Sequence, residues 1–105
     1  MSQAQENERI ARKLYADWNR RDFDGIAAAV ADDAEIVLGG AGTRLHGPDG
    51  MLASDRAWVE AFPDGRAEID SVVASADQVV VEFTGTGTHT GALAQLGVTA
   101  ETAHA

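Results

Sequence analysis

The chain has no cysteine among its 105 residues. Disulfides, thiolate metal sites and a cysteine nucleophile are therefore excluded, and stability must come from packing. Basic residues are also scarce. Eight lysines and arginines stand against seventeen acids, and the formal charge of -9 repels phosphate backbones and anionic lipid surfaces. Nucleic acid is thus not an expected partner. No apolar run approaches the roughly 20 residues of a membrane span, and the opening stretch from Met1 to Glu8 is polar where a signal peptide needs an apolar segment. We therefore expect a cytoplasmic protein with no membrane partner. Carboxylates and histidines never recur at metal-ligand spacing, and Gly85-Thr86-Gly87 lies inside an expected strand rather than ahead of a helix, so no cofactor is implied.

What is present is one domain's worth of periodic sequence, residues 1–105, long enough to bury roughly two thirds of its unfolded surface. Ile10, Leu14 and Trp18 recur every four residues with Ala11 and Tyr15 beside them, which predicts a helix over Asn7 to Asn19. Phe23, Ile26, Ala27 and Val30 predict a short second helix, with Asp22 or Asp24 placed to cap it. Ala34 to Leu38 reads as a strand running into the turn Gly39-Gly40-Ala41-Gly42, and Thr43 to His46 as its return. Pro48 opens a third helix carrying Met51, Asp55, Trp58, Val59 and Phe62, and Pro63-Asp64-Gly65 stops it. Ala67 to Ala74 and Gln78 to Thr90 form a hairpin, the second strand presenting Val79, Val81, Phe83, Gly85, Gly87 and His89 on its core face.

Five stretches then carry a resemblance: Trp18 to Ile26, Ala31 to Ala34, His46 to Gly50, Phe62 to Asp64 and Gly87 to Gly91. In this order they are similar to the SnoaL-like polyketide and ester cyclases of the nuclear-transport-factor-2-like superfamily. The resemblance spans Glu8 to Gly91 and implies an α+β fold, a cone-like bent antiparallel sheet packed on three helices around a pocket. It implies acid/base chemistry without a cofactor on a small apolar, polyketide-like ligand. The family's two late strands, and the aspartate they carry as acid and base, have no counterpart here. Residues 92–105 read as a short helix and tail, Ala92 to Val98 resembling the family's closing helix. In the resembled fold the absent strands lie between the two hairpins, so the sheet is expected to be incomplete, and free strand edges recruit a partner. We therefore expect a homodimer, strand-exchanged in one form.

His89 is the first candidate for chemistry, a titratable group at the end of the core-facing strand side. The alternative is a hydrogen-bonded structural residue. Asp55 is the second candidate, a surrogate acid or base if it faces inward among Met51, Trp58 and Phe62, and a solvated helix residue otherwise. Trp18, Val37, Met51, Trp58, Phe62 and Phe83 are the apolar set, able to line a ligand cavity or simply to fill a core. The ketosteroid isomerases, a related branch, place a tyrosine and an aspartate at positions that fall here on Leu14 and Leu38, which cannot transfer protons. Tyr15 is one position off and reads as a packed side chain with a wet hydroxyl. Asp55-Arg56 is weakly similar to part of the limonene epoxide hydrolase network, but adjacent helix residues point about 100° apart. His46, before a helix, and His104, in the tail, are expected to be without function. Two classes of function remain: a cyclase, isomerase or hydrolase, and a catalytically inactive dimeric module that binds a ligand or a protein.

Overall fold

The computed structural model describes residues 2–38 and 42–90. The expected Ala92 to Leu96 segment, His104 and most of the Gly39 to Gly42 turn lie outside them. Helix α1 runs Gln3–Arg20 and starts four residues earlier than its apolar stripe suggests. The reason is a capping box at Ser2: the Gln5 N–H donates to Ser2 Oγ at 3.1 Å, and the Ser2 N–H donates back to Gln5 Oε1 at 2.8 Å. The polar first turn therefore needs no apolar contact to be helical. α1 ends where Arg21 adopts the left-handed conformation, φ 59°. Its guanidinium offsets that strain by donating to the carbonyls of Trp18, Pro63 and Gly65, at 2.9, 3.2 and 2.7 Å. The end of α1 is thereby tied to the turn that follows the third helix.

Asp22 caps α2, Phe23–Ala28, by accepting from the Gly25 N–H at 3.0 Å. Strands β1, Glu35–Leu38, and β2, Thr43–His46, pair antiparallel, with Glu35 opposite His46 and Leu38 opposite Thr43. α3 spans Gly47–Ala61 and has Pro48 in its first turn. β3, Arg66–Ala74, and β4, Val79–Thr86, form the second hairpin. Its register shifts by one residue at Asp70, a bulge whose carboxylate accepts from the Thr84 hydroxyl at 2.7 Å. The inward pairs are Ala67 with Gly85, Ile69 with Phe83, Val72 with Val81, and Ala74 with Val79.

β4 ends four residues before the expected Thr90. β3 begins at Arg66, opposite Thr86, so beyond Thr86 there is no strand left to pair with. The next backbone donors go elsewhere, the Thr88 N–H to Asp64 Oδ1 and the Thr90 N–H to the Ala61 carbonyl, both at 2.8 Å. The chain therefore folds down onto the end of α3. A side chain there would be crowded, because a Cβ on Gly87 would lie 3.2 Å from Gly65 Cα and 3.2 Å from Phe62 Cβ, and those neighbours would have to give by a few tenths of an ångström.

Three helices thus pack on two two-stranded antiparallel sheets, an α+β arrangement in which α1 lies along the β3–β4 hairpin and α3 against β1 and β2. Among the described residues the buried apolar set is small: Ala11, Ile26 and Ala61. Asp17 is buried with them, held by ion pairs to Lys13 and Arg20. Those cations, Lys13 first, keep its carboxyl below the usual range. Most other apolar side chains are only half covered, because α1, α3 and the inward face of the hairpin enclose a space instead of closing on one another.

Candidate functional site

That space is a cavity of about 550 Å³. Its size is that of a small-molecule site. α3 contributes Met51, Ser54, Asp55 and Trp58, and its C-cap residue Phe62 continues the stripe, at intervals of three and four residues that bring one helix face inward. α1 contributes Leu14, Tyr15 and Trp18, α2 contributes Ile26, and β4 contributes Phe83, Gly85 and Thr86. The walls are overwhelmingly apolar. Of the expected apolar set, Trp18, Met51, Trp58, Phe62 and Phe83 lie on this cavity. Val37 does not; it sits on β1 and is 52% exposed.

Aromatic contacts fix the walls. The Trp58 and Phe62 rings stack with centroids 5.9 Å apart, and the Tyr15 ring meets Phe83 at 5.1 Å. The Arg21 guanidinium lies 4.3 Å over the Trp18 ring, so the residue that ends α1 also sets that indole. Asp55 is the carboxyl group in this lining. Among the described residues no donor or cation meets it, and burial pushes its pKa up to about 6. The adjacent Arg56 points elsewhere, its guanidinium 5.9 Å from the Phe23 ring, so the two do not act as a pair. Near neutral pH Asp55 therefore exchanges between a neutral acid and a poorly solvated base.

His89 stands behind this wall. Its ring packs against Phe62 with centroids 4.9 Å apart, and its Nε2 is buried without a hydrogen-bond partner among the described residues. The surrounding backbone is held by Thr88, whose N–H and hydroxyl both donate to Asp64. Those bonds, the backbone one first, keep the Asp64 carboxyl below its usual range. His89 is not part of the cavity lining, whereas Phe62, on which it rests, is.

Sequence periodicity did not single out Leu14, Tyr15, Ser54 or Ile26 as cavity residues. Ser54 was recoverable, lying three residues after Met51 and four before Trp58 on the same helix face. Tyr15 was not, because its place depends on how far α1 is rotated against β4. Among the described residues no group of three or more histidines, aspartates or glutamates is placed to hold a metal ion. Nor is any helix long and apolar enough to cross a membrane.

The family model described as SnoaL-like polyketide cyclase matches residues 8–103. That match continues past Gly91, where the resemblance carried by the motifs stops. A solved structure from Kribbella flavida DSM 17836, described as a "putative ketosteroid isomerase", superposes with a TM-score of 0.73 at 21% identity, over 83% of this chain and 62% of that one. AclR of Streptomyces galilaeus, described as a "putative hydroxylase", superposes with a TM-score of 0.67 at 28% identity, over 82% of this chain and 53% of its own. The chain thus spans less than two thirds of the length of either. No curated protein matches it by sequence.

Proposed function

The chain belongs to the SnoaL-like polyketide cyclase family, and from that premise we propose that it binds a small, flat, apolar ligand of polyketide type and moves a proton on it without a cofactor. The observation that carries this reading is Asp55, an unpartnered carboxyl on an apolar cavity with its pKa raised to about 6 by burial. A carboxylate lacking hydration is a stronger base than one in water, and at neutral pH the same group returns the proton as an acid. Asp55 supplies the carboxyl from α3. Trp18, Met51, Trp58, Phe62 and Phe83 hold the ligand's faces, and His89 supports Phe62 from behind.

The chemistry is tested with 2-tetralone, a flat bicyclic ketone with exchangeable protons beside its carbonyl. Deuterium incorporation in D₂O, followed by NMR, is expected to exceed the buffer rate by about 10²-fold or more, the usual scale of general acid–base catalysis. Asp55→Asn removes the acceleration, and His89→Ala retains most of it. Exchange that is no faster than buffer, or is unchanged in Asp55→Asn, rejects the reading.

A second reading, a catalytically inactive dimeric module that binds a ligand or a protein, is favoured by a different observation. Phe83 is 51% exposed although it points inward, Val37 is 52% exposed, and among the described residues each hairpin pairs only with itself. We propose that a second copy of the chain covers these edges, by edge pairing or strand exchange.

A further inference from the structure

The face of α1 that walls the first cavity continues past it. A second cavity of about 540 Å³, a groove more open to solvent than the first, extends toward the β3–β4 turn, lined by Asn7, Ile10, Gln78, Val79 and Val81 among others. Leu14 and Tyr15 line both cavities. The order along β4 is the same as along α1: Val79 and Val81 border the second cavity, Phe83 and Gly85 the first. The two spaces are therefore successive lengths of one seam between α1 and β4. Tyr15 stands at the division with its ring 5.1 Å from Phe83. Its hydroxyl has no hydrogen-bond partner among the described residues, so what Tyr15 adds to the partition, beside Leu14 and against Phe83, is its ring.

We propose that Tyr15 sets the length of ligand the site accepts, confining it to compact molecules in the first cavity and denying it the continuation of the seam toward Val81 and Val79. Without that ring the site would take rod-shaped apolar ligands, a ring system at the Trp18 and Trp58 end bearing a linear chain along β4. The inference rests on the first cavity being a ligand site, and the experiment separates the two claims. Alkyl phenyl ketones from acetophenone to octanophenone are titrated against the fluorescence of Trp18 and Trp58. Each methylene that enters apolar surroundings should tighten binding about fourfold. In the wild type that gain stops at a middle chain length. In Tyr15→Ala it continues to the longest ketone, which then binds at least tenfold more tightly than to the wild type. Tyr15→Phe keeps the wild-type break, since the hydroxyl takes no part in the division. Should Tyr15→Ala fail to fold by circular dichroism, Tyr15→Leu serves, with the break moved outward by a smaller amount. A break at the same length in the shortened variants, or a Tyr15→Phe that behaves like Tyr15→Ala, overturns the inference and leaves the first cavity standing. Failure of every ketone to bind the wild type removes both.

Discussion

Asp55 sits against the stability of its own fold. Its ordinary pKa is 3.8 and burial raises it to about 6, so between those values the folded chain holds a proton that the unfolded chain has released. Stability therefore falls as pH rises through that window, and the whole cost is present above pH 6. A shift of this size corresponds to about 3 kcal/mol for a fully screened-off group, reduced to roughly 1 kcal/mol here because solvent reaches the carboxyl through the open side of the cavity. Asp55→Asn is accordingly expected to stabilise the protein by about 1 kcal/mol at pH 8 and hardly at all at pH 3.5, measured by urea denaturation at both. Equal effects at the two pH values would contradict the desolvation account. Such a trade of stability for an ionisable group on a cavity is the pattern of a functional residue. Asp17 shows the opposite case, a buried carboxylate whose cations favour the charged form and which lines neither of the two cavities described.

Helix α1 is clamped to the β3–β4 hairpin at both ends by asparagines. Asn19 uses both halves of its amide on one residue of β3: its Nδ2 donates to the Ala67 carbonyl and its Oδ1 accepts from the Ala67 N–H, each at 2.8 Å. It thus occupies backbone groups that a neighbouring strand would otherwise take. Asn7 donates to the carbonyls of Ser75 and Ala76 at the hairpin turn, at 2.9 and 3.0 Å. Asn19→Ala is expected to cost about 1–3 kcal/mol, since it strands a half-buried donor and acceptor, and Asn7→Ala less, because its partners face solvent. Thermal denaturation of the two variants checks the order; equal losses would contradict it. Most elements were legible in the sequence, since helix and strand periods in Ile10 to Trp18, Met51 to Phe62 and Val79 to Phe83 are properties of neighbouring residues. The same period set Asp55 four residues after Met51 and three before Trp58, which left an inward place open beside a solvated one, and the cavity lining decides for the inward one. The end of β4 and the place of His89 were not. They depend on the Asp64 carboxylate meeting Thr88 across 24 residues, and no local pattern encodes such a contact.

At the scale of the whole molecule, the β3–β4 hairpin and the three helices surround a cavity that the hairpin alone does not close. Each of the four described strands has one edge without a strand partner among the described residues. With the apolar side chains of Val37 and Phe83 half exposed, this arrangement is expected to associate in solution. Sedimentation equilibrium at micromolar concentration should return a dimer of the 11.0 kDa chain; a folded monomer under those conditions would contradict the proposed partner. The central claim concerns the cavity itself, that its apolar walls hold a ligand against a desolvated Asp55. The most direct measurement is a carboxyl ¹³C NMR titration of Asp55, free and saturated with 2-naphthol. The account predicts a midpoint near 6 in the free protein, moving upward when the ligand displaces water from the cavity. A midpoint near 4 that the ligand leaves unchanged would contradict it.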